Sequence, residues 1–115
     1  MSNSLTTVVE TSEFLSAVRK LMDESDRELL VDYLAANPTA GDVIQGTGGV
    51  RKLRWALSGR GKRGGARVIT YFHNETVPLF VLTAYAKNEQ GDLSQETKNS
   101  LKRSTKLMVE RYRKE

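Results

Sequence analysis

The spacing of apolar residues changes twice along this chain. Between Phe14 and Leu34 they recur at helical spacing, between Val50 and Phe72 they alternate with polar residues, and from Leu101 onward the helical period returns. Leu5 to Val9 reads as a short strand. Thr11 or Ser12 then offers an N-cap oxygen to a helix with Glu13 in its first turn and Phe14, Leu15, Val18, Leu21 and Met22 on one face. The tetrapeptide from Ser25 to Glu28 has capping-box form and opens a second helix through Leu29, Leu30, Tyr33 and Leu34. Asn37-Pro38 ends that helix, because the residue before proline is driven out of the α region. The two apolar stripes require a sheet to cover.

Glycines at 41, 46, 48 and 49 mark the stretch from Asn37 to Gly49 as loop. VRKLRWAL then alternates, with Leu53, Trp55 and Leu57 on one face and Lys52, Arg54 and Ala56 on the other. In ARVITYFH, Val68, Thr70 and Phe72 alternate with Arg67, Ile69, Tyr71 and His73, and the two runs form an antiparallel hairpin. VPLFVLTAYAK is almost continuously apolar, as expected for a central strand, with Pro78 tolerated near its start and Tyr85 and Lys87 on one face. A Gly91-Asp92 break and Ser94 as N-cap introduce a last helix with Leu101, Thr105, Met108 and Tyr112 on one stripe. The expected fold is α+β, with two N-terminal helices and a C-terminal helix around a small, mainly antiparallel sheet in one domain spanning residues 1–115.

Composition narrows the chemistry. With no cysteine there is no disulfide framework, thiol nucleophile or thiolate metal site. No run approaches the ~20 apolar residues of a membrane span and the N-terminus lacks signal-peptide form, so a cytoplasmic protein is expected. The net charge of +4 hides a sharp division. Residues 1–42 carry three basic and eight acidic side chains, residues 43–74 seven basic and none acidic, and residues 75–115 eight and six. A segment with cations and no anion suits a polyphosphate partner whose counterions it displaces.

Gly59, Gly61 and Gly64 form a literal G-x-G-x-x-G. In a dinucleotide-binding unit those glycines open a helix whose N-terminus meets the pyrophosphate, whereas here a β-branched and aromatic run follows. The cofactor reading is therefore rejected, and no cofactor is expected.

Three segments, GDVIQGTGGVRKLRWA (Gly41 to Ala56), GRGKRGGARVITYF (Gly59 to Phe72) and LTAYAKNEQGDLS (Leu82 to Ser94), resemble the RelE/HigB toxins of bacterial type II toxin–antitoxin pairs, in order and spacing most like the HigB-like branch. The resemblance implies a RelE-like, microbial-RNase-like fold and a ribosome-dependent endoribonuclease, an mRNA interferase that cuts translated mRNA in the 30S A site. It also implies neutralisation by a HigA-like antitoxin with a helix-turn-helix DNA-binding domain. Arg67 matches the family's sheet arginine, a stabiliser of the transition state. Lys87 matches a cation near the end of the last strand that assists phosphate binding or protonation of the leaving oxygen. Family members place a tyrosine, histidine or glutamate near an end of the last helix as base or stacking group. This chain has Ser94 there and ends RYRKE, which leaves the general base unassigned.

Cutting RNA without a metal requires the ribose 2′-OH to attack its own phosphorus in line while added negative charge is stabilised. With one histidine and no carboxylates at ligand spacing, cations must do that work. Lys52 and Arg54 share a strand face about 7 Å apart, and Arg67 can grip phosphate oxygens with a planar fork. Lys52, crowded by other cations, and His73 are candidates for the base. Arg60, Lys62 and Arg63 are expected to contact RNA backbone from the hairpin tip, and Tyr71 or Tyr85 to stack a base. Two other functions fit parts of the pattern. A ParE-like inhibitor of DNA gyrase has no need of the Lys52, Arg54 and Arg67 set, and a non-catalytic RNA-binding module would account only for GRGKRGG.

Overall fold

The computed structural model describes residues 5–57, 65–87 and 93–113. In chain order the elements are β1 (Val8–Glu10), α1 (Ser12–Val18), α2 (Glu24–Ala36), β2 (Asp42–Val43), β3 (Val50–Trp55), β4 (Ala66–Tyr71), β5 (Leu79–Ala86) and α3 (Gln95–Arg113). The strands form one sheet in the order β1-β5-β4-β3-β2, in which β1 runs parallel to β5 and every other neighbouring pair is antiparallel. The α+β class and the mainly antiparallel sheet are as the residue pattern predicts.

Period-two alternation gives the sheet two apolar faces, and each acquires its own helix layer. On one side Leu53, Val68, Leu79 and Val81 pack against Phe14, Val18, Met22, Leu30 and Leu34 of the α1–α2 region. On the other, Val50, Ile69, Tyr71, Phe80 and Leu82 pack with Val109 of α3. Leu15, Leu29 and Tyr33, expected to lie on buried stripes, are exposed, because each short helix buries a stripe narrower than its apolar content.

Thr11 ties α1 to the sheet. Its side chain accepts the Phe14 N–H at 3.2 Å, capping α1, and its hydroxyl donates to the Val81 carbonyl at 2.8 Å. The cap of α2 differs from the capping box expected at Ser25. Asp23 stands before the first turn and its carboxylate accepts the Asp26 N–H at 2.9 Å, which places Ser25 inside the helix. A carboxylate there also complements the helix dipole, which a serine hydroxyl does not. Arg27 then pairs with Glu10 on β1 and Glu24 on its own helix, and its side-chain hydrogen bond holds the Glu24 carboxyl below the usual carboxylate range.

Two strands depart from the sequence expectation. The N-terminal strand is Val8–Glu10, starting three residues and ending one residue later than expected, and the loop from Asn37 to Gly49 contains β2, paired with Lys52 and Arg51. Gly41 makes this approach possible. Its φ is +95°, and a Cβ built on it would lie 2.7 Å from the Lys52 carbonyl oxygen. Arg51 completes the turn, donating from Nη1 to the carbonyls of Thr39 and Gly41 at 3.0 and 3.1 Å. The last helix begins as expected, with Ser94 Oγ accepting the Thr97 N–H at 3.1 Å. The Gly91-Asp92 break and the hairpin tip lie outside the described residues.

Candidate functional site

Strand register converts separate sequence motifs into rows on the α3 side of the sheet. At one end Val50, Tyr71 and Phe80 stand side by side. Next come Lys52, Ile69 and Thr83, and then Arg54, Arg67 and Tyr85. The last row exists because β5 carries an extra residue. Ile69 pairs with Thr83 but Thr70 with Val81, which leaves Leu82 without a partner and brings Tyr85 beside Arg67.

Helix α3 packs chiefly on the first of these rows, and Ile69 and Tyr85, one from each of the next two, are buried in the same cluster. Leu101, Met108 and Val109 join the cluster around Val50 and Tyr71, and Tyr112 meets Phe80 edge-on with ring centroids 6.4 Å apart. Four residues along β3, about 13 Å away, Arg54 is exposed, while Lys52 and Arg67 are half-buried. Lys87 is exposed just beyond β5, and its N–H donates to the Gly65 carbonyl at 2.9 Å, fixing it near the start of β4. Arg67 Nη1 donates to the carbonyl of Ala66 at 3.3 Å. The structure thus gathers Lys52, Arg54 and Arg67 on one open surface with Lys87 at its border. Arg60, Lys62 and Arg63 lie outside the described residues.

Arg54 and Arg67 are directly opposite each other. Like charges in that relation weaken a sheet, and among the described residues no carboxylate lies within ion-pair distance of Lys52, Arg54, Arg67 or Lys87. The described residues leave this repulsion uncompensated. Arg54→Thr should therefore raise the stability of the isolated protein by about 0.2–1 kcal/mol. Urea titration would measure the gain, and saturating inorganic phosphate should narrow it by stabilising the parent protein more.

The tyrosines differ from expectation. With 9% and 6% of their surfaces exposed, Tyr71 and Tyr85 present packed rings and not an open stacking platform. Tyr71 belongs to the row that α3 covers. His73 follows it, beyond the end of β4, with its Nδ1 3.3 Å from the Tyr71 hydroxyl. That is the end of β4 away from Arg67, too far for His73 to serve a phosphate held there. Trp55 points to the opposite side of the sheet from Arg54 and rests on Tyr33, with ring centroids 5.4 Å apart. A cavity of about 340 Å³ between α1 and α2 also lies on that opposite side, lined by Leu15, Val18 and Met22 with Arg19, Asp23, Glu24 and Arg27.

Among the described residues no helix is long and apolar enough to cross a membrane. The family description "RelE toxin of RelE / RelB toxin-antitoxin system" matches residues 8–115, which takes in every strand and helix of the fold. The open cationic row is thus a feature of a toxin whose system also supplies an antitoxin, and the chain belongs to the RelE toxin family.

Proposed function

We propose that this protein is a ribosome-dependent, metal-independent endoribonuclease of the HigB-like branch, a single cytoplasmic domain that cuts translated mRNA in the 30S A site and is restrained by a HigA-like antitoxin. The observation that carries this reading is the Arg54–Arg67 pair, two guanidinium groups in register on one sheet face with Lys52 one row away and, among the described residues, no carboxylate within ion-pair distance.

In this reading the mRNA backbone lies across the row. Arg54 and Lys52 bind the phosphate and fix its orientation, so that the 2′-OH of the preceding ribose approaches phosphorus opposite the 5′-oxygen. The new bond joins the 2′-oxygen to phosphorus, and the bond to the 5′-oxygen breaks. The products are a cyclic phosphate and a 5′-OH. Arg67, half-buried and set in an inner strand, donates to the equatorial oxygens as their charge grows. Lys87, at the border of the face, protonates the departing oxygen. The proton of the 2′-OH passes to Lys52, which acts as base in its neutral amine form. Loop residues Arg60, Lys62 and Arg63 add backbone contacts. Tyr85 stands beside Arg67 in register and supports that side of the row.

Toeprinting of mRNA on programmed ribosomes tests the proposal. Purified protein should produce codon-positioned breaks that require the ribosome, persist in EDTA and leave cyclic-phosphate ends. Intact mRNA, together with gyrase-dependent DNA breaks, would overturn it in favour of a ParE-like activity.

A further inference from the structure

Helix α3 carries a second concentration of positive charge, separate from the open row. From Gln95 to Arg113 it has six basic and two acidic side chains. Lys98, Lys102 and Lys106 recur every fourth residue, with about 6 Å of rise between successive members. Like charges at this spacing weaken a helix, and among the described residues no carboxylate lies within ion-pair distance of any of the three. This stripe runs beside the inward-facing stripe of Leu101, Thr105, Met108 and Val109, which binds the helix to the sheet.

The turn between β2 and β3 supports the lysines. Gly46 and Gly48 have φ of +84° and +78°, and a Cβ at each would lie 3.6 Å from Lys98 Cδ and 3.2 Å from Lys102 Cγ. The aliphatic stems of Lys98 and Lys102 therefore rest on bare backbone, with Lys98 half-buried and Lys102 and Lys106 exposed. A side chain at position 48 would strain the backbone and displace Lys102. The result is a basic ridge along one flank of α3, at the end of the sheet opposite the Arg54–Arg67 row.

The ridge meets the turn before β3, and the Arg54–Arg67 row lies at least four residues along that strand, about 13 Å, so a single phosphate cannot engage both. A polyanion that presents phosphates over a long distance can. Beside the lysines on the exposed surface Gln95, Asn99 and Arg103 are polar and Leu107, 60% exposed, is the one apolar member of that row; a single leucine is a small anchor for a membrane, whereas the polar majority suits a phosphodiester backbone. We propose that Lys98, Lys102 and Lys106 form a second RNA contact, which grips the backbone of a folded RNA lying beside the strand that is cut. This rests on the endoribonuclease reading and adds to it an anchoring surface that takes no part in the chemistry.

The test compares the parent protein with a variant carrying Lys98→Gln, Lys102→Gln and Lys106→Gln, and with a second in which the same lysines are arginine. Binding to ribosomes is measured as a function of KCl concentration, with circular dichroism as a check of folding. The glutamine variant should lose about two to three units of log–log salt slope, the yield of three phosphate contacts. Its single-turnover cleavage at saturating ribosome should stay within twofold of the parent's, and the arginine variant should keep the parent slope. An unchanged slope in the folded glutamine variant, while the parent binds ribosomes steeply, would overturn this inference alone. A variant that loses affinity only for the antitoxin would reassign the ridge to that partner. A parent protein that neither binds nor cuts on ribosomes would overturn the endoribonuclease reading and this inference with it.

Discussion

Replacing Arg67 with alanine is expected to slow single-turnover cleavage of ribosome-bound mRNA by roughly 10²–10³, equivalent to about 2.7–4 kcal/mol of lost transition-state stabilisation. The size follows from its position. Arg67 lies on an inner strand, half-buried, held between Arg54 and Tyr85 by register, so its guanidinium needs little reorganisation when charge develops on the phosphate. Affinity for ribosomes should change much less, because Lys52, Arg54 and the hairpin-tip cations still meet backbone phosphate. The fold should survive as well, since the substitution relieves the repulsion with Arg54. Rapid-quench cleavage at saturating ribosome, paired with a binding isotherm, separates the two effects. A variant that binds ten times more weakly yet cuts at the parent rate would show that Arg67 only binds, and the catalytic centre would then have to be sought at the hairpin tip.

Phe14→Ala should act on stability and not on chemistry, at a cost of about 3–5 kcal/mol. Phe14 is fully buried in the layer between α1 and the sheet, among Leu79, Val81 and Val68. Helix α1 spans only Ser12–Val18, too short to be stable without its packing, and Phe14 is one of its two buried residues. A loss of that size is a large fraction of the ~5–15 kcal/mol by which domains are stable. Urea titration should show a lower midpoint at nearly constant m. Leu15→Ala, one position along but 37% exposed, should stay within about 0.5 kcal/mol. If the two variants ranked in the opposite order, α1 would have to be turned about its axis relative to the sheet.

The residues of β3 and β4 made their own faces legible. Leu53 and Trp55 must oppose Lys52 and Arg54 in any extended strand, because successive side chains leave a pleated backbone on opposite sides. Thr11, Ser94 and Asn37-Pro38 were equally readable, since a cap or a proline restriction acts within three or four residues of its source. Asp23 lay within the same local range, two residues before Ser25, and its carboxylate is the stronger acceptor.

What only the tertiary structure decided was which of these locally determined faces meet and which are covered. Nothing within β5 alone specifies that Leu82 is left unpaired, yet that irregularity brings Tyr85 beside Arg67. Nothing within β1 specifies that it pairs in parallel with β5. Lys52, Arg67 and Tyr71 leave their strands on the same side, and their different environments follow from where α3 comes to rest, over Val50, Tyr71 and Phe80 and clear of Arg54 and Arg67. Periodicity is a property of a single strand or helix, and so one sequence window can display it. Register and coverage are relations between segments far apart in the chain, set by packing that exists only once the sheet and its helices have assembled.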